Sequence, residues 1–103
     1  MINVKYSKNG IFCEPYHAQK GQNIQLTYEG ILAAEGAQTI YAHIGYGPNE
    51  RWINTGEYEM ISKGNGKFEV DIPITESGNL NVAFRDDSGN WDNNDGQNYI
   101  FSP

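Results

Sequence analysis

The stretch Ile40–Gly45, with the sequence IYAHIG, places an aliphatic residue at every second position. Successive side chains of a β-strand point to opposite faces, so a period of two predicts a strand whose two isoleucines and Ala42 face a core. His43 would then lie on the outer face with Tyr41 and Gly45. The stretch therefore predicts a half-buried strand of an antiparallel sheet.

Similar runs recur along the chain, separated by turn-forming residues. The other predicted strands are residues 2–6, 11–13, 24–28, 58–61, 68–74, 80–85 and 99–101. Residues 63–66, with the sequence KGNG, predict a hairpin connection. Residues 31–35 are the one stretch compatible with a helix, of about one turn. About seven to eight short strands predict an all-β fold, a two-sheet antiparallel β-sandwich of immunoglobulin-like type.

Length and charge narrow the possible functions. The 103 residues predict one domain, residues 1–103, because a second could not bury its own core. A net charge of −6, with seven Lys and Arg and no run of them, excludes the basic surface that nucleic acid or an anionic membrane requires. A neutral polymer is compatible with this charge.

Cys13 is the single cysteine, so no intrachain disulfide can form. We expect it to be a small buried hydrophobe on a strand. The sequence shows no secretory signal and no membrane-spanning run. This predicts an intracellular protein if the chain is full length, or a secreted one if it is an excised module of a larger enzyme.

Both tryptophans lie in polar, turn-rich stretches. Trp52 is in residues 47–54, GPNERWIN, and Trp91 is in residues 86–96, DDSGNWDNNDG. Tryptophan is usually well buried, so this placement predicts a surface for a ligand with a flat apolar face and a polar edge. His43 lies on the strand leading into the Trp52 loop, and Gly45 leaves room for a close approach to the sheet. The alternative is that the indoles cap the sandwich edge and that His43 is merely solvated.

Several segments taken together resemble a known family. They are residues 41–47 (YAHIGYG), Trp52, residues 82–86 (VAFRD) and residues 89–94 (GNWDNN). In this order they resemble the starch-binding modules of carbohydrate-binding module family 25 and are similar to the family 53 modules of starch synthases. The resemblance covers nearly the whole chain, and its most specific part is the WDNN block. The loop of residues 47–51 has no fixed pattern in the family.

The resemblance implies a β-sandwich without catalytic activity, and we expect a monomer without a cofactor. It implies binding of α-1,4-linked glucan (starch, glycogen or maltooligosaccharides) by His43, Trp52 and Trp91, with Asn93 and Asn94 as polar partners. An amylolytic or glucan-synthesising enzyme would accompany the module, in the same chain or in another. The chemistry agrees: a sugar packs its C–H face on an indole, and an amide both donates to and accepts from hydroxyls.

Three alternatives remain open. A glycosidase could use the acidic loop, whose aspartates are Asp86, Asp87, Asp92 and Asp95. Glycoside hydrolysis, however, needs two carboxyls about 5–10 Å apart across the scissile bond. Aspartates in such loops more often form turns. The same loop could hold a structural calcium, although the EF-hand spacing is missing. The domain could also be an immunoglobulin-like protein-interaction module. We expect Arg85 to act mainly on the order of the acidic loop, through its acidic neighbours.

Overall fold

The computed structural model describes residues 9–103, whose strands form two antiparallel sheets. The strands of this part of the chain are β1 (Ile11–Glu14), β2 (Asn23–Tyr28), β3 (Ile40–Tyr46), β4 (Ile53–Glu59), β5 (Ile61–Gly64), β6 (Lys67–Pro73), β7 (Leu80–Asp86), β8 (Trp91–Asp92) and β9 (Tyr99–Phe101). One sheet has the order β1-β2-β6-β5 and the other β4-β3-β7, with β8 and β9 both pairing with β7. The prediction of an all-β, two-sheet antiparallel sandwich is confirmed.

The strand order is that of an immunoglobulin-like sandwich. Constant-type immunoglobulin domains have sheets A-B-E-D and C-F-G, and β1-β2-β6-β5 and β3-β7-β9 occupy the same places here. β4 is an added edge strand beside β3. Between β4 and β5 stands only the buried Met60, so a nearly continuous segment passes from one sheet to the other.

The core is rich in aromatic residues, because apolar side chains alternate along strands of both sheets. The largest fully buried side chains are Tyr28, Tyr46, Tyr99, Phe84, Phe101, Ile11, Ile24, Leu26, Ile40, Ile72, Leu80 and Val82. Cys13 is buried on β1 as predicted, and burial raises the pKa of its thiol to about 12. Large aromatic areas therefore compensate for a modest hydrophobic share.

Some element boundaries differ from the predictions. The run predicted at 58–61 is divided between β4 and β5, and β4 already begins at Ile53. β8 has two residues, too few to display a period, and was not predicted. The 63–66 turn joins β5 to β6 and α1 (Ile31–Ala34) is one turn long, both as expected. The strand predicted at residues 2–6 lies outside the described residues.

Within residues 9–103, no helix has the length and apolar character that a transmembrane span requires.

Candidate functional site

The outer face of the sheet containing β3 carries the candidate site. The aliphatic residues of β3 are buried in the core, so His43 and Tyr41 point outward, as the alternation predicts. On the neighbouring strand β7, the small and buried Ala83 lies opposite His43. Because the side chain of Ala83 is small, it leaves space beside the imidazole on the outer face of the sheet. Larger side chains from the loops can pack in this space.

Trp52 comes from the loop between β3 and β4 and packs onto Gly45. A Cβ atom at Gly45 would lie 2.6 Å from Trp52 Cβ and 2.7 Å from Trp52 Cε3. The indole Nε1 donates a hydrogen bond to the carbonyl oxygen of Asn49 at 2.8 Å. The close approach that Gly45 allows is therefore made by Trp52 itself, which is half-buried and fills the space above this glycine.

Trp91 begins β8 and is paired with Arg85 of β7, so its side chain lies on the same outer face. The residue is 49% exposed. An indole held on a strand yet open to solvent presents a fixed apolar surface at low entropic cost. Neither indole is buried between the two sheets.

His43 lies between the two indoles. Its ring centroid is 5.8 Å from that of Trp52, with the planes 28° apart, and 5.7 Å from that of Trp91, with the planes 87° apart. The two indole planes must therefore be inclined to each other by at least 59°, the difference between 87° and 28°. A flat ligand therefore cannot stack on both indoles at once.

An ion pair on the same face flanks the imidazole. Arg85 Nε and Nη2 donate to Glu57 Oε2 and Oε1, each at 2.7 Å, and the guanidinium lies 4.3 Å above the Tyr41 ring. These bonds from Arg85 lower the pKa of Glu57. Arg85 reaches the acidic loop through the carbonyl oxygen of Asp86 at 3.2 Å. The expected carboxylate partners of Arg85 are therefore corrected: both carboxylate contacts of its guanidinium are with Glu57 on β4, whereas its effect on the order of the loop stays a prediction.

Glu57 also lies beside His43, the residue opposite it in the β3–β4 ladder. Glu57 Oε2 is 3.7 Å from His43 Nδ1, which is too long for a hydrogen bond. Nδ1 is shielded from solvent and has no hydrogen-bond partner within residues 9–103. The other ring nitrogen, Nε2, is therefore the one available to a ligand hydroxyl.

Asn93 and Asn94 follow β8 in a tight turn, and part of their hydrogen-bonding capacity is used there. Asn93 Oδ1 accepts from the backbone N–H of Gly96 at 3.0 Å, although the residue is exposed. Asn94 Nδ2 donates to the carbonyl oxygen of Asn98 at 3.1 Å, and Asn94 Oδ1 accepts from Asn9 Nδ2 at 3.4 Å. Their role as polar partners of a ligand stays a prediction.

Asp86 holds its own turn together. Its Oδ1 accepts from the backbone N–H groups of Ser88 and Asn90, at 3.0 and 2.9 Å, and its Oδ2 accepts from Asn90 Nδ2 at 2.9 Å. These bonds, foremost those from Asn90, lower the pKa of Asp86. Within residues 9–103 there is no group of three His, Cys, Asp or Glu residues arranged to hold a metal ion. The contacts of Asp86 are those of a turn-forming aspartate.

Asp92 points in the opposite direction from its neighbour Trp91, toward the core. Its Oδ2 accepts from the hydroxyl of Tyr28 at 2.7 Å and its Oδ1 from that of Tyr99 at 2.9 Å. Burial and the bond to Asp92 together raise the pKa of Tyr28. Asp92 therefore satisfies two buried hydroxyls, a structural role that the sequence did not reveal.

Comparison with known proteins finds a similarity to part of a carbohydrate-active enzyme. Over 82 residues, 79% of this chain, the sequence is 33% identical to an alpha-amylase of Clostridium acetobutylicum. The aligned part is 10% of that protein, so the chain spans about a tenth of the length of the curated relative it matches. No family model and no solved structure matches the chain.

Proposed function

We propose that this domain is a non-catalytic module that binds α-1,4-linked glucan on the outer face of the β4-β3-β7 sheet. The observation that carries the proposal is the arrangement of Trp52, His43 and Trp91, in which the two indoles flank the imidazole with planes at least 59° apart. An α-1,4-linked chain is curved, so successive sugars present their faces in different directions. A β-1,4-linked chain is flat and suits coplanar platforms instead.

Each part of the site has a chemical role in this proposal. The C–H face of one glucose unit packs on Trp91, and the face of another packs on the open side of Trp52. Trp52 acts through its ring alone, because its N–H is bonded to Asn49. His43 meets a sugar hydroxyl with Nε2, and Asn93, exposed beside β8, supplies an amide for others.

Binding of this kind is weak per site. Stacking of a nucleic-acid base on an aromatic side chain is worth about 1–3 kcal/mol, and a sugar belongs at the lower end of that range. Two such contacts and a few hydrogen bonds lead to a Kd on the order of high micromolar to millimolar. Retention on a granule then depends on many repeated sites along the polymer or on several modules.

The carboxylates support a role without catalysis. Asp92 is bonded to core tyrosines, Asp86 to its own turn and Glu57 to Arg85. Glycoside hydrolysis requires two carboxyls facing each other across the bond, whereas each of these three carboxylates is already engaged in a structural contact. The similarity to a tenth of an alpha-amylase fits a module that accompanies a catalytic domain.

A fluorescence titration tests the proposal. Maltoheptaose should shift or quench the tryptophan emission, whereas cellohexaose should not. Trp91→Ala should abolish retention on amylose with little change in melting temperature, because the indole is 49% exposed. Ile61→Ala, on exposed β5 of the other sheet, is the control and should bind normally.

Three results would count against the proposal. Equal changes in tryptophan emission with maltoheptaose and cellohexaose would show that the inclined indoles do not select a curved glucan over a flat one. A large loss of stability in Trp91→Ala would assign that ring to packing. Release of reducing sugar from soluble starch by the pure protein would contradict a non-catalytic module.

A further inference from the structure

The loop that carries Trp52 meets the loop that follows Trp91 and strand β8 at Asn49, a half-buried residue of the β3–β4 loop. Its carbonyl oxygen accepts the indole N–H of Trp52 at 2.8 Å. Its side chain reaches the loop that follows β8: Asn49 Nδ2 donates to the carbonyl oxygen of Gln97 at 3.1 Å, and Asn49 Oδ1 accepts from Asn98 Nδ2 at 2.9 Å. One residue thus holds Trp52 by its backbone and the loop after β8 by its amide.

Each of the two loops is also closed by its own hydrogen bonds. In the first, the backbone N–H of Arg51 donates to the carbonyl oxygen of Pro48 at 3.0 Å. Asn81 Nδ2 also donates to the carbonyl oxygen of Gly47 at 3.0 Å, which ties the start of this loop to β7. In the second, the backbone N–H of Asn98 donates to the carbonyl oxygen of Asn93 at 2.7 Å. Within residues 9–103, the hydrogen bonds that join one loop to the other are those of the Asn49 side chain. Asn49 is therefore the link between two units that are each already closed.

We propose that Asn49 is a positioning residue that sets the separation and the inclination of Trp52 and Trp91, an inference that rests on the proposed function. Its amide is well suited to this task, since it must both donate to a carbonyl and accept from another amide. A carboxylate would retain the bond from Asn98 but lose the bond to Gln97. An alanine would lose both cross-loop bonds.

The effect on binding follows from preorganisation. A ligand that spans both indoles gains most when their geometry is already correct, because ordering the two loops on binding reduces the affinity. A ligand that covers a single indole does not depend on how the other is placed. Asn49 therefore contributes to the affinity for long α-glucans and to discrimination by shape, without itself needing to touch the sugar.

The variant Asn49→Ala isolates this link, because it keeps the backbone carbonyl that binds Trp52. We expect its Kd for maltoheptaose to rise roughly tenfold, as the loss of two hydrogen bonds between ordered groups implies. Its Kd for maltose, which covers one indole, should change less than twofold. Asn49→Asp retains one of the two bonds, so its Kd for maltoheptaose should lie between that of Asn49→Ala and that of the wild type. Asn23→Ala, exposed at the start of β2 on the other sheet, is the matched control.

The affinities are measured by calorimetry and by NMR titration of the indole N–H resonances. Equal losses for maltose and maltoheptaose would overturn the positioning role and indicate direct contact with the sugar. Wild-type affinity of Asn49→Ala for both ligands would overturn it as well. A wild-type protein that binds neither ligand would refute the proposed function instead. The link could then still be tested without ligand, because Asn49→Ala should speed exchange of the Asn98 side-chain amide hydrogens and leave the Trp52 indole N–H protected.

Discussion

The contact between Gly45 and Trp52 offers a sensitive test of the site, through the substitution Gly45→Ala. The new methyl group would lie 2.6 Å from Trp52 Cβ and 2.7 Å from Trp52 Cε3. Carbon atoms in contact are ordinarily about 3.5–4.0 Å apart, so the overlap is close to 1 Å. Trp52 Cβ is attached to the backbone and cannot swing aside. Residues 47–52 must therefore shift, and this shift carries the indole away from the sheet.

Two magnitudes compete in this variant. Forcing a methyl group into a packed contact costs about 1–3 kcal/mol if Trp52 stays in place. A shift of residues 47–52 relieves the overlap but displaces the indole and removes one aromatic surface, worth about 1 kcal/mol to a stacked sugar, or roughly a fivefold rise in Kd. The backbone of Gly45 is not in the left-handed region, so alanine can adopt its conformation. Because alanine reduces the conformational entropy of the unfolded chain, the substitution also raises the free energy of unfolding by about 0.4–1 kcal/mol. We therefore expect Trp52 to move, with a near-normal melting temperature and weakened binding.

Gly56→Ala on the adjacent strand β4 provides the matched control. Its added Cβ would meet only Tyr58 Cε1, at 3.9 Å, an ordinary contact. Thermal unfolding by circular dichroism, tryptophan emission and maltoheptaose titration together compare the two variants. Gly45→Ala should show altered emission and at least a fivefold rise in Kd, and Gly56→Ala should behave as the wild type. If Gly45→Ala binds maltoheptaose normally, the packing of Trp52 on the sheet does not position a binding surface.

Two further predictions concern the carboxylates. Asp92→Ala should lower the free energy of unfolding in urea by roughly 2–4 kcal/mol, because two buried tyrosine hydroxyls lose their acceptor. A loss no larger than that of the exposed control Asp71→Ala would contradict this reasoning. Arg85 lowers the pKa of Glu57, so this pair stabilises the fold fully above the ordinary value of 4.5 and progressively less as the pH falls below it. Glu57→Gln should therefore flatten the acid side of melting temperature against pH, whereas curves parallel to the wild type would exclude a contribution from the pair.

The strand carrying His43 shows what could be predicted from local pattern. Alternation is a property of consecutive residues, so the sequence IYAHIG alone predicts that the imidazole of His43 faces away from the core. Gly45 shows where such reasoning ends. Its lack of a side chain predicted a close approach, but the approaching group could not be named, because Trp52 returns to the sheet only after a turn whose course the pattern does not reveal.

Pairings across the sheet were beyond prediction for a similar reason. Glu57 lies opposite His43 through a ladder with an irregularity between Ile44 and Tyr46. A bulge changes which residues face each other, and the sequence gives no sign of one here. Arg85 was accordingly assigned to its acidic neighbours in the chain, whereas its guanidinium crosses β3 to reach Glu57.

By itself, the sequence determined the two-sheet sandwich, the outward direction of His43 and the exposed position of Trp91, because each depends on period, turn residues and polarity over a few neighbouring positions. Tertiary structure alone decided that Trp52 lies on Gly45, that Asn49 joins loops nearly fifty residues apart, and that the indole planes are steeply inclined. Those features depend on register and loop packing, in which each contact is made by residues distant in the chain and is selected by the free energy of the whole fold.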